Sequence, residues 1–525
     1  MPALPGDLIG WSWTFMGLYI GLMLLIGILS RRRIHNADDF ATARGGYGPL
    51  FLAFAFAATS ASGATFMGIP GIAYSTGLSA IWILMLYPVG LGVGVMLCMK
   101  LVMRSGNRFG SRSIPEYLGD RYQSDSLRLI VALFSLLLFF YLAGQLVSCL
   151  VMFQTMLGLA PGPALIITCV VLAIYVAAGG AHADILTDGL QGMLMIALAM
   201  LILALFLMGY GVENGLPGLV ERLRADDPQL VGVLNAESAL TASWWAVLSL
   251  ALSTIPMGLL PHLGNKLWAL QQPQQQRQFV RWVFILGLIM PTIGLGGLLA
   301  RALFGDELLT SGTGANEAIP ALFLTLFPTW IAALFGAGVL AAIMSTADGL
   351  VISSSQVIAN DLYRRSIAPR WHGHRSAADI EATTLSVSRW ATGATLLISA
   401  ALAWKFMSMN VLLIVWIGLG GMMAALAGPL VLGSLWRGVT RAGALTGFVG
   451  GAVGFIVLHA GVLQPHWFGS GMFASAVTWL QAQAPNPYSC TVLGEIIGVT
   501  SCFVVSLLTT PLPDAHLDSL FPQNV

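Results

Sequence analysis

Within the segment AAIMSTADGLVISSSQ, Ala341 to Gln356, Ser345, Thr346 and Asp348 stand inside a run that is otherwise apolar from Trp330 onward. Polar and ionisable groups are costly in a bilayer and persist where they face a protein interior, a cavity or an ion. Two adjacent hydroxyls and a carboxylate within one helical turn are hard oxygen donors, suited to a small hard cation rather than a transition metal. The chemistry this segment points to is the binding of an ion that is carried, not activated.

Composition requires a membrane around it. Hydrophobic residues make up 57% of the 525 residues and charged residues only 9%, against about 25% in ordinary soluble domains, and mean hydropathy is +0.82. A formal net charge of +1 leaves no footprint for nucleic acid. The cysteines (Cys98, Cys149, Cys169, Cys490, Cys502) have no CxxC or CxxH spacing and read as small hydrophobes. The run Trp11 to Leu29 lacks a preceding basic segment and reads as a retained span, not a cleavable signal. His182 and His262 have no partners at catalytic or zinc-ligand spacing, so neither an enzyme nor a cofactor is expected. No Walker A pattern supports ATP-driven transport, and no selectivity-filter signature supports a channel.

Apolar runs of spanning length centre near Leu22, Thr65, Gly92, Tyr141, Val171, Met200, Pro256, Leu288, Leu340, Leu397, Met422, Phe448 and Thr500. They predict an all-α polytopic protein of about thirteen spans. With the N-terminus outside and the C-terminus inside, most of the 24 basic residues fall on the inner side, among them Arg31, Arg32, Arg33, Lys100, Lys266 and Arg364. Arg222, Arg224, Arg301 and Lys405 alone fall outside. That bias orients the array.

Two spans look interrupted. In FLAFAFAATSASGATFMGIPGIAY, Thr59 to Thr65 is small and polar, Gly63 can leave helical geometry cheaply, and Pro70 limits backbone bonding beyond it. In LALSTIPMGLLPHLG, Pro256, Gly258 and Pro261 fall in mid-membrane. Unwound backbone is tolerated there only where protein or a watery cavity satisfies it. Breaks at corresponding positions, five helices apart, point to a transporter built from two inverted halves with its site between them. The expected organisation is an extra helix over 8–33, a first five-helix repeat over 48–210, a second over 240–436, and two additional helices over 443–510.

The sequence resembles the sodium:solute symporter family, whose core is a LeuT-like inverted repeat. The resemblance runs from Phe40 through Arg441. It rests on SASGATFMGIPG (Ser60 to Gly71), SIPEYLGDRY (Ser113 to Tyr122), Gln145, GGAHADILTDGLQ (Gly179 to Gln191), and AAIMSTADG with the following NDLYRR (Asn360 to Arg365). It implies a main sodium site made of the backbone oxygens of Ala58, Ala61 and Ala342 with the hydroxyls of Ser345 and Thr346. It also implies that Asp188 takes part in sodium coupling. Asp348 departs from the family, many of whose members carry an uncharged residue there. With Asp188 it forms a pair for a second cation, or else it anchors its helix to a cytoplasmic arginine. The solute pocket is expected near Thr65, Phe66, Gln145, Ser253, Pro256, Met257 and Trp416. Ala64, Thr65 and Leu260 stand where related transporters hydrogen-bond sugar, which disfavours a sugar.

The function expected is sodium-coupled import of a small organic solute across the plasma membrane, the inner membrane in a Gram-negative cell. The solute is a monocarboxylate or other organic anion, a pantothenate-like compound or an amino acid. The rivals are a proton-coupled permease of the same fold and, from another class, a transporter-like sensor. The partners are the solute, sodium ions and the bilayer.

Overall fold

The computed structural model describes residues 6–30, 41–310, 314–372, 374–469 and 471–521; Arg31, Arg32, Arg33 and Phe40 lie outside them. Among the described residues the chain is helix, turn and loop, with one isolated parallel bridge between Tyr47 and Leu270. Among the described residues nine helices are long and apolar enough to cross a membrane, and a bent pair, Trp244–Leu259 and Pro261–Ala269, makes up a tenth span. The thirteen expected centres all fall within helices or within this pair. The counts differ because Val171 lies in the short segment Pro161–Ile174, the Leu397 helix does not qualify, and Thr65 and Gly92 share one stretch, Ala64–Phe109.

The helices that matter for the site are α1 (Gly6–Ser30), α2 (Pro49–Ser60), α3 (Ile69–Thr76), α4 (Ile81–Phe109), α5 (Ile114–Tyr122), α6 (Asp125–Leu157), α7 (Pro161–Met208), α8 (Trp244–Leu252), α9 (Gln276–Ile289), α10 (Thr329–Gln356), α11 (Ala377–Phe406), α12 (Val411–Leu426), α13 (Arg441–His459), α14 (Pro487–Leu508) and α15 (Asp514–Leu520). Their starts are set locally. Ser113, Ser243, Ser376, Asn410, Thr440 and Asn486 each accept a backbone N–H of the first turn with the side chain, which satisfies donors a helix cannot satisfy itself.

α2 and α10 pack against α7, α9 against α2, and α1 against α10. α14 packs against both α12 and α13. The buried centre therefore lies where α2, α7 and α10 meet. α7 is itself interrupted: Gly180 has φ 55° and ψ −167°, a left-handed conformation that only glycine adopts cheaply. It separates Pro161–Ile174 from Gly180–Met208.

At one end of the bundle, two motifs far apart in sequence meet. Glu116 of α5 pairs with Arg365 and accepts from Asn360 Nδ2 at 3.3 Å, while Ser113 Oγ donates to Asp361 Oδ2 at 2.9 Å. Arg128 of α6 donates to the Asp361 carbonyl at 2.6 Å. SIPEYLGDRY and NDLYRR thus clamp α5 and α6 to the π-helical extension of α10, Val357–Ile367. α15 docks at this end too: Arg437 pairs with Asp514 and Asp518, and Leu517 and Leu520 are buried.

Candidate ion and solute sites

The first broken helix opens after Ser60. Ala61, with φ −88° and ψ 78°, is the residue that leaves helical geometry; the chain then re-enters through a π-helical turn, Ala64–Gly68. Gly63 is helical, with φ −52° and ψ −30°, so the sequence expectation for it is corrected. Its lack of a side chain serves close approach: a Cβ there would sit 2.4 Å from Ser148 Oγ. Its N–H, freed by the break, donates to Gln145 Oε1 at 2.8 Å. Gln145 is thus a brace for the break.

The opened carbonyls face α10. Ser345 Oγ lies 3.2 Å from the Ala58 carbonyl oxygen and 2.8 Å from that of Ala342. Thr346 Oγ1 donates to the Thr59 carbonyl at 3.0 Å. Ala58, Ala61, Ala342, Ser345 and Thr346 are all buried. Ser345 brings the Ala58 and Ala342 carbonyls to one point, and Thr346 engages Thr59 next to it. A hydroxyl that donates to a carbonyl keeps its lone pairs. Turned about its C–O bond, it offers them to a cation between the same carbonyls. All the donors are neutral hard oxygens, and this set fits a sodium ion.

Beside this lies a second cluster. One carboxylate oxygen from each of Asp184, Asp188 and Asp348 lies within 4.8 Å of the others, and all three residues are buried. The approach of Asp188 to Asp348 follows the sequence pattern; Asp184 was not singled out, although it stands one helical turn before Asp188 and so on its face. The cluster also holds a cation of its own. Lys266 Nζ lies 2.7 Å from Asp184 Oδ2 and 2.5 Å from Asp188 Oδ2, with only 4% of its side chain exposed. Counted in sequence as an inward-facing surface charge, Lys266 is instead buried in the bundle. Thr59 joins the two clusters, since its hydroxyl donates to Asp188 Oδ2 at 2.6 Å while its carbonyl accepts from Thr346.

The second broken helix carries Lys266. After α8 the chain passes through turns at 253–256 and a 3-10 segment, Met257–Leu259. Leu260 is extended (φ −60°, ψ 152°), and the axis bends by 53°. Pro256 and Pro261 deny the backbone donors that would close this gap.

Between the first break and α12 lies a small cavity. Thr65, Met257 and Trp416 line it; Phe66, Gln145 and Ser253 are buried without lining it. Its polar side chains are the hydroxyls of Ser60, Ser62, Thr65, Tyr87, Tyr141 and Tyr488 and the Trp416 indole. Among the described residues no charged side chain lines it. Tyr488, from α14, lies with its ring centroid 3.9 Å from that of Trp416. The tyrosines were missed in sequence because aromatic residues in apolar runs look like packing.

A sodium:solute symporter family model matches residues 40–451. The chain belongs to the sodium:solute symporter family. It is 29% identical over 511 residues to the high-affinity proline transporter PutP of Bacillus subtilis strain 168, covering 94% of this chain and 98% of the relative. It is also 29% identical over 422 residues to the sodium/pantothenate symporter of Escherichia coli K12, covering 78% and 82%. Its fold is similar to that of a Na+-coupled sialic acid symporter (TM-score 0.72, 20% identity, 95% of this chain and 98% of that one). A nucleobase-cation-symport-1 family transporter is more distant (TM-score 0.55, 13% identity, 92% and 99%). This chain is therefore a membrane-embedded, sodium-coupled symporter of a small solute.

Proposed function

We propose that the chain imports a compact, carboxylate-bearing solute of about amino-acid size, with one sodium ion bound by the Ala58, Ala61 and Ala342 carbonyls and the Ser345 and Thr346 hydroxyls. The observation that carries this reading is the join between pocket and ion site. Ser60 and Ser62 line the pocket on the same break whose Ala58 carbonyl meets Ser345. A pocket with hydroxyl donors but no fixed charge suits a solute whose negative charge is balanced by the sodium beside it. Its apolar wall, Met257, Leu412 and Trp416, suits a small hydrocarbon body. The relatives named for proline and for pantothenate are consistent with such a carboxylate.

In this reading residues 48–210 and 240–436 are inverted five-helix repeats, each opening with a broken helix, flanked by one helix before and two after. The thirteen segments run from an outside N-terminus to an inside C-terminus in the plasma membrane. Sodium binding holds the carbonyls of the first break against α10 and so pre-forms the pocket wall. Solute and sodium then stabilise each other's binding by the same factor. Uptake of a panel of amino acids and monocarboxylates into proteoliposomes, with and without a sodium gradient, tests this. Solute affinity identical in the two conditions would overturn it.

A further inference from the structure

Deepening the sodium reading, and resting on it for the main site alone, we infer that Lys266 is a resident cation that takes the seat of a second coupling ion, so that the chain binds a single sodium. The inference starts from charge. Three buried carboxylates meet within 4.8 Å, an arrangement that does not stand unless cations or shared protons offset the charge. In many proteins such a centre would recruit a soluble ion. Here the chain supplies one. Lys266 reaches Asp184 and Asp188 at ion-pair distance, and the Asp188 oxygen it holds also accepts from Thr59. A sodium ion bound through the same oxygens would have to displace the ammonium or sit about 4 Å from it. At that separation, with an effective dielectric constant of about 20, repulsion weakens binding by roughly a thousandfold.

Two further observations fit a cation fixed in place. Asp184 and Asp188 each present Oδ2 to the ammonium, at 2.7 and 2.5 Å. His262, one helical turn before Lys266, is buried with both ring nitrogens unpartnered. It lines the same pocket as Asp184 and Lys266 and brings no negative charge of its own to it. Lys266 also has a position a soluble ion lacks. It belongs to the second broken helix, Asp188 to α7, Asp348 to α10, and Thr59 to the first broken helix. One tethered charge therefore ties together the parts that carry the main site. It stays with the chain through every transport cycle, where a second sodium would leave.

The test counts sodium directly, with 22Na+ as the only ligand, on the purified full chain in nanodiscs. One ion per wild-type chain is expected, with a hyperbolic saturation curve; two ions would overturn the inference without help from any variant. Lys266→Met keeps the side-chain length and removes the charge. It is expected to bind two ions with a sigmoidal or biphasic curve, and a folded Lys266→Met chain that still binds one would overturn the inference. Lys266→Arg is expected to keep the count at one. The main site is separated by adding Thr346→Ala and Ser345→Ala to Lys266→Met. Retention of one ion fits both readings. Retention of two would still support the role of Lys266 and would fault the main-site assignment alone.

Discussion

Two clusters of oxygen sit side by side on α10, one turn apart, and solve opposite problems. Around Ser345 and Thr346 every donor is a hydroxyl or a carbonyl. Around Asp348 the donors are carboxylates, and a lysine is already among them. Neutral dipoles hold a dehydrated cation through partial charges, so the ion is released when those dipoles turn away. Carboxylates hold a cation through full charges in a medium that screens poorly, which suits an ion that never leaves. Under the proposed assignment, the transient cargo meets dipoles and the permanent charge meets charge.

The strongest way to break this comparison is to spoil the charged cluster. Asp188→Asn leaves Lys266 with Asp184 as its nearer partner, and removal of one member of a buried pair costs about 3 kcal/mol or more. A clear fall in thermal unfolding temperature and loss of coupled uptake are expected. Asp188→Asn combined with Lys266→Met should recover part of that loss, because no buried charge is then left unmatched. Asp348→Asn should also impair coupling, and together with Asp188→Asn it should be little worse than either alone, as expected of groups within one cluster. Strict additivity in melting scans and uptake would separate Asp348 from the cluster.

Next in size is Gly63→Ala. A Cβ there lies 2.4 Å from Ser148 Oγ and 2.9 Å from Gln145 Oε1, and overpacking of that kind costs about 1–3 kcal/mol. Because the same break serves both sites, sodium and solute affinities should fall together. A variant with only one of them altered would show that the break does not join the sites.

Thr346→Ala sharpens the neutral side of the comparison. It removes one hydroxyl and little packing. Loss of a hydrogen-bonding group to a charged partner is worth about 1.5 kcal/mol or more, so the sodium concentration for half-maximal uptake should rise roughly tenfold. Unchanged sodium dependence in both Thr346→Ala and Ser345→Ala would remove the assigned ion site. The smallest effect is expected for Tyr488→Phe, a few-fold loss of solute affinity with sodium dependence unmoved, since a neutral hydrogen bond contributes about 1 kcal/mol. Equal loss of sodium affinity would show that Tyr488 acts on the shape of the core.

What was legible in the sequence follows the same division. Ser345, Thr346 and Asp348 stood out because they interrupt an apolar run, and both helix breaks were visible through proline and clustered small residues. Lys266 was not legible as a core residue. A lone lysine near a span's end, followed by a glutamine-rich loop, has the pattern of a surface charge, and only the 53° bend turns it inward. The helical spacing of Asp184 and Asp188 was readable and was the one signal of the larger cluster. The pocket was the least legible part. Thr65 and Trp416 line it, but Phe66 and Gln145 sit behind it. Which face of an apolar helix meets a cavity depends on rotation about its axis, which a uniformly hydrophobic sequence leaves unspecified.

Tyr488 belongs to α14, which lies outside both proposed repeats and beyond the 40–451 stretch matched by the family, yet its ring reaches the wall opposite the first break. A part of the chain outside both proposed repeats therefore lines the proposed solute pocket. Grafting α13 and α14 from a paralogue is then a route to new cargo preference on an unchanged sodium engine.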